Sequence, residues 1–131
     1  MENKKIVLAI DDNPVQLDIF KTILSPKYDL RDVKSASEAL SFLNKNISDV
    51  ILLDIEMPNI SGFEFLKDIK RIPSYINVPV IVVSGNSGQD FVDKATKCGA
   101  ANVLSKPVTT DVLIRAIEKA LAEHQAFEVK K

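Results

Sequence analysis

Apolar positions in this 131-residue chain gather into short, nearly unbroken runs separated by longer stretches of mixed character. Lys5–Ile10 is almost wholly apolar, as expected of a parallel strand covered on both faces. Asp11-Asp12-Asn13-Pro14 ends it; Asp12 or Asn13 can cap a helix, and Pro14 suits its first turn. At about 100° per residue, Gln16, Ile19, Phe20 and Ile23 centre the apolar arc of that helix. Asp18, Lys21 and Thr22 lie opposite, and Val15 and Leu17 fall on the two edges. Ser25-Pro26-Lys27 breaks the helix. Tyr28–Val33 is a second strand, polar enough to lie at a sheet edge. Ser35 or Ser37 caps a helix carrying Ala39, Leu40, Phe42 and Leu43 to about Lys45.

Val50-Ile51-Leu52-Leu53-Asp54 is a third, buried strand closed by an aspartate, and Met57-Pro58-Asn59-Ile60-Ser61-Gly62 then forces a turn. A helix over Gly62–Ile72, with Phe63, Leu66 and Ile69 or Lys70 alternately facing in and out, stops at Pro73. Val78–Ser84 is all apolar until it meets a hydroxyl, and Gly85-Asn86-Ser87-Gly88 is loop. The helix Gln89–Cys98 offers only Phe91, Val92 and Ala95 as a face, and Gly99 closes it as a C′ glycine does. Ala101–Ser105 is a short fifth strand, followed by Lys106-Pro107. Thr109 or Thr110 caps the last helix, with Leu113, Ile117, Ala120 and Leu121 inward, and a tail follows from about His124. Strands alternating with helices in this way, with nearly all-apolar middle strands, describe a doubly wound α/β sandwich with a parallel sheet and no second domain.

Composition narrows the partners. With 46% apolar residues the chain can bury a full core, and a net charge of −1 without a basic block disfavours direct nucleic-acid binding. The lone Cys98 rules out an internal disulfide, fits a reducing compartment and reads as a packing residue. A first strand at about Lys5 leaves no room for a signal segment, and no apolar run approaches the ~20 residues of a membrane span. A cytoplasmic protein without membrane insertion is expected.

The chemistry follows from the topology. Asp11 and Asp12 end the first strand, Asp54 the third and Ser84 the fourth, while Lys106 follows the fifth. In a parallel sheet these carboxyl ends share one edge, so residues far apart in sequence converge there. Clustered carboxylates repel one another unless a cation joins them, and oxygen ligands without a nearby His or Cys fit Mg²⁺ rather than zinc. A metal beside a carboxylate, with a lysine and a hydroxyl across the gap, makes a phosphoryl-transfer site. Asp54 is then the nucleophile, and Lys106 and Ser84 steady the phosphoryl oxygens.

Four blocks resemble the signature of the response-regulator receiver domain of two-component signalling (the CheY-like family). They are Val7–Pro14, Leu52–Gly62, Val80–Gly85 and Ser105–Pro107. The likeness runs over residues 4–123, leaving 124–131 as a tail. It implies a flavodoxin-like sheet of order 2-1-3-4-5 and phosphotransfer to Asp54 from a phosphohistidine on a histidine kinase or histidine phosphotransfer protein. It implies Asp12 and Asp54 as direct Mg²⁺ ligands, Glu56 as a backbone-carbonyl ligand and Asp11 as a ligand through water. It also implies a phosphoacceptor switch that catalyses only its own phosphorylation and dephosphorylation, with output through a protein target. One departure matters. Val103 stands three residues before the lysine, where the family usually has an aromatic lever. A valine lacks the reach for that motion, so a muted change on the face of the fourth and fifth helices is expected. This leaves a phosphorylation-independent interaction module as the alternative. Glu56 and Asn86 fill the two positions that tune hydrolysis in the family. Val15 and Leu17, beside the acidic pocket, are expected to contact a kinase or phosphotransfer partner.

Overall fold

Apolar runs become neighbours because a β-branched strand covered on both faces must pair on both edges. The computed structural model describes residues 4–58, 60–86 and 88–129; Asn59 and Ser87, in the turns expected after the third and fourth strands, lie outside the described residues. The elements run β1 (Ile6–Ile10), α1 (Pro14–Leu24), β2 (Asp29–Val33), α2 (Ala36–Lys45), β3 (Val50–Asp54) and α3 (Gly62–Arg71), then a 3₁₀ turn (Pro73–Tyr75). β4 (Val80–Ser84), α4 (Gln89–Lys97), β5 (Asn102–Ser105) and α5 (Thr110–Val129) complete them. The sheet is wholly parallel with order β2-β1-β3-β4-β5, as expected, and β2 is an edge. The segment expected as a tail from residue 124 belongs to α5 as far as Val129. No helix among the described residues is long and apolar enough to cross a membrane.

Strand alternation divides the core into two layers. Leu8, Ile10, Ile51, Leu53, Val80 and Val82 face α2, α3 and α4, where Leu43, Leu66, Ile69 and Ala95 meet them. Val7, Ala9, Val50, Leu52, Ile81 and Val83 face α1 and α5, against Phe20, Leu24, Leu113 and Ile117. Buried free Cys98 lies in the first layer, in keeping with a packing role.

Local signals resolve as side-chain hydrogen bonds. Asn13 caps α1, its Oδ1 accepting from the Val15 and Gln16 amides at 2.9 and 3.4 Å. Ser35 caps α2 and Ser61 caps α3. Thr109 Oγ1 accepts from the Val112 amide at 3.4 Å at the start of α5. Gly99 adopts φ +112°, the left-handed conformation expected where α4 ends.

One amphipathic reading is corrected. The buried stripe of α1 is Leu17, Phe20 and Leu24, while Ile19 is 43% exposed. Spacings of three and four residues align Leu17 and Leu24 with Phe20, whereas Ile19 lies about 100° away from it. Leu17 is therefore core and offers no surface to a partner. Val15, at 64% exposure, does.

The amino edge of the sheet is braced by polar bonds. Ser48 Oγ donates to the Val50 carbonyl at 2.7 Å, and Asp49 Oδ2 accepts from the Ile6 amide at 2.7 Å. Lys70, half-buried, caps the carbonyls of Tyr75 and Val78 at 3.1 and 2.7 Å. Tyr75, 1% exposed, donates its hydroxyl to the Asn46 carbonyl at 2.7 Å. Tyr75→Phe removes that bond and leaves the carbonyl short of a partner. A loss of about 1 kcal/mol is expected, read in a thermal melt as a fall of about 4 °C in Tm.

Candidate functional site

The carboxyl edge of the sheet carries a different chemistry. Asp11, directly after β1, is 1% exposed and Asp54, the last residue of β3, is 5% exposed, while Asp12 faces solvent. Ligand oxygens of these three carboxylates all lie within 4.8 Å of one another. Lys106 reaches across from the end of β5, its Nζ 3.5 Å from Asp11 Oδ2 and 3.7 Å from Asp54 Oδ1. Its backbone N–H donates a hydrogen bond of 2.8 Å to the Ser84 carbonyl, and the Lys106–Pro107 peptide is cis. The strand-end convergence expected from sequence is thus present for Asp11, Asp12, Asp54, Ser84 and Lys106.

Backbone amides orient the carboxylates. Asp11 Oδ1 accepts from the Asn13 N–H at 2.9 Å, and Asp54 Oδ1 accepts from the Glu56 N–H at 2.9 Å. Burial pushes the Asp54 carboxyl up to about 6; the Glu56 amide opposes this, Asp11 adds to it and Lys106 opposes it. Asp11 Oδ2 is buried yet accepts no hydrogen bond, with the Lys106 ammonium 3.5 Å away. A buried carboxylate oxygen without a donor is costly. Together with the two neighbouring carboxylates, it suits a hard divalent cation. The cluster is thus capable of coordinating a divalent metal.

The Glu56 side chain shows what sequence reasoning missed. It turns toward β4, where its Oε1 accepts from the Ser84 hydroxyl and the Gly85 N–H, both at 2.9 Å. The Gly85 amide and then the Ser84 hydroxyl hold the Glu56 carboxyl below its ordinary value. Ser84 Oγ in turn accepts from the Asn86 N–H at 3.0 Å. Asn86 turns its own Oδ1 back to the Gly88 amide at 3.1 Å. Acidic character at position 56 was the available signal, but the direction of a long side chain depends on tertiary neighbours. Val103, half-buried, packs against the α2–α3–α4 layer, as Phe63 and Phe91 also do. Those two rings meet edge to face at 5.4 Å.

Residues 7–118 match the family model described as the response regulator receiver domain. The chain belongs to the receiver-domain family. It is 36% identical over 110 residues to a two-component response regulator of Oryza sativa, a match covering 82% of this chain and 16% of that protein. It is 33% identical over 129 residues to the transcriptional regulatory protein DegU of Brevibacillus brevis, covering 96% and 53% respectively. The receiver thus spans about half or less of the length of these relatives. Among solved structures it is similar to a CheY-like response regulator receiver domain protein from Methanospirillum hungatei. The TM-score is 0.87 at 26% identity, over 95% of this chain and 98% of that one. Receiver domains are phosphorylation switches that act on themselves, and this chain stands with them rather than with conventional enzymes.

Proposed function

We propose that this receiver accepts a phosphoryl group onto Asp54 from a phosphohistidine of a histidine kinase or histidine phosphotransfer protein, in an Mg²⁺-dependent reaction, and signals through protein partners. The observation that carries this reading is a buried carboxylate at a strand end, with two further carboxylates within 4.8 Å and a lysine ammonium at 3.7 Å. An oxygen of Asp54 attacks phosphorus, the phosphorus–nitrogen bond breaks, and the departing imidazole nitrogen keeps the electron pair and takes a proton from solvent. The Glu56 amide orients the Asp54 carboxylate for this attack. Lys106 and the Ser84 hydroxyl stabilise the phosphoryl oxygens. Asp12 and Asp54 directly, the Glu56 backbone carbonyl, and Asp11 through water would hold Mg²⁺, which would supply neutralisation of the remaining charge. Glu56 and Asn86 tune the lifetime of the acyl phosphate. Exposed Val15, next to the exposed part of Ile19 on α1, is the partner contact. Chemistry that depends on Mg²⁺ and a phosphohistidine donor, together with a reduced Cys98, fits a cytoplasmic setting.

Incubating the wild-type protein with acetyl phosphate tests the reading. A phosphoryl adduct labile to hydroxylamine is expected with Mg²⁺ present, and none after chelation, both read by intact-mass spectrometry. Absence of the adduct under conditions that modify a control receiver overturns it. Val103 favours one other reading, an interaction module independent of phosphorylation. Full partner binding by Asp54→Asn, measured against the wild type with and without phosphodonor, selects that alternative.

A further inference from the structure

A serine hydroxyl has one proton to give, and that of Ser84 is already given to Glu56 Oε1. The Gly85 N–H is committed to the same oxygen. These two donors, a hydroxyl and the next backbone amide, converge on one anionic oxygen, the pattern by which proteins hold the oxygens of bound anions. Ser84 cannot withdraw as a unit: it is fully buried, paired in register with Ser105, and its carbonyl accepts from the Lys106 amide. At its other end, Glu56 is tied to the acidic cluster through its own amide on Asp54 Oδ1. One residue therefore bridges Asp54 and the β4–α4 loop, amide on the first and carboxylate on the second.

We infer that the Glu56 carboxylate is a built-in anionic occupant of the Ser84–Gly85 donor pair, displaced when a phosphoryl group arrives on Asp54. The inference rests on the phosphoacceptor reading of Asp54. A phosphoryl oxygen and Glu56 Oε1 compete for the same hydroxyl proton, and two anions in that space repel each other. Phosphorylation then has two coupled results: Ser84 and Gly85 turn to the phosphoryl group, and the Glu56 side chain swings out to solvent. Glu56 is accordingly a positioning residue acting through Ser84 and Gly85. It raises the threshold for modification and gives this receiver a movable group near β4 in the absence of an aromatic at position 103.

Beryllofluoride, a non-covalent stand-in for the phosphoryl group, is the probe, titrated with Mg²⁺ into the full chain and followed through backbone amide resonances. Four proteins are compared: wild type, Glu56→Ala, Ser84→Ala and the double variant. In the wild type, the Gly85 amide proton is expected downfield and shifts on binding. In Glu56→Ala it starts upfield, and affinity for beryllofluoride rises by about tenfold, the worth of one charge-assisted hydrogen bond. In the Ser84→Ala background the gain from Glu56→Ala shrinks by more than half, because one of the contested donors is gone. A gain of equal size in both backgrounds reduces Glu56 to a through-space charge and overturns the inference. So does a Gly85 amide in the wild type that ignores beryllofluoride. Either result leaves Asp54 as phosphoacceptor intact. Failure of all four proteins to bind beryllofluoride or to react with acetyl phosphate removes the phosphoacceptor reading, and this inference with it.

Discussion

Asp54→Asn is expected to abolish phosphoryl labelling while making the metal-free protein more stable at neutral pH. The two effects have one cause. A carboxylate aimed at phosphorus must sit close to other carboxylates and away from water, and the folded state bears that strain before any phosphodonor arrives. Burial holds the Asp54 carboxyl near 6, against an ordinary value of 3.8. The folded state therefore binds the proton more tightly than the unfolded chain does. Well below pH 4 both states are protonated and the group costs nothing. As pH rises from about 4 through 6 the folded state loses stability, and above that the loss is complete. A shift of this size corresponds to roughly 2 to 3 kcal/mol, with the lower figure preferred because Asp11 and Lys106 share the same field. Asparagine keeps an oxygen for the Glu56 amide but carries no charge. Urea unfolding of the two proteins in chelator at pH 4 and pH 7 checks this. The curves lie closer together at the lower pH, the substituted protein unfolds later at the higher one, and added Mg²⁺ narrows the gap by stabilising the wild type. A wild type equally stable at both pH values, beside an unchanged variant, would contradict the assignment of Asp54 as a strained carboxylate.

The second large effect lies at a glycine that bears no functional group. A Cβ on Gly62 would stand 2.2 Å from the Ile55 carbonyl oxygen and 2.7 Å from both the Ile55 Cα and Cγ2. Two of these atoms are backbone, so no rotamer change relieves the clash. Either α3 withdraws from the sheet or the segment between β3 and α3 moves. Gly62→Ala is expected to destabilise the protein by about 3 kcal/mol or more. The denaturation midpoint falls while the slope is retained. Because Ile55 lies between Asp54 and Glu56, labelling of the surviving folded protein should fall as well. Gly88→Ala is the control. The nearest atom to its Cβ is Asn86 Oδ1 at 3.6 Å, an ordinary contact, and the backbone φ of −63° accepts any residue. Its midpoint should stay within about 0.5 kcal/mol of wild type.

Much of the site was legible because topology makes strand ends neighbours. Asp11, Asp54, Ser84 and Lys106 could be brought together from their places alone, since a parallel sheet puts carboxyl ends on one edge. The fold was legible for the same reason: buried strands leave unbroken apolar runs. What remained hidden depends on orientation within an element. In α1 the apolar residues fill more than one stripe, and only docking on the sheet decides that Leu17 goes in and Ile19 stays half out. The Glu56 side chain has several rotamers, and sequence cannot say that it turns to Ser84 and Gly85 rather than to solvent. Asp12 and Asn13 were equal as caps on paper; the amides of Val15 and Gln16 choose Asn13, which leaves Asp12 for the acidic cluster.

The brace formed by Ser48, Asp49, Lys70 and Tyr75 sits at the rim of the sheet opposite the carboxylates. Its hydrogen bonds hold carbonyls and amides of the backbone, and among the described residues the acidic cluster lies wholly at the other rim. The bracing side chains and the acidic side chains therefore stand at opposite rims of the sheet. Random drift at the braced rim shows up as lost yield and a lower melting point. Drift at the carboxylates themselves, unlike at Gly62 beside them, alters signalling in a protein that still folds, and some of those changes, by removing a crowded charge, leave it sturdier than its ancestor.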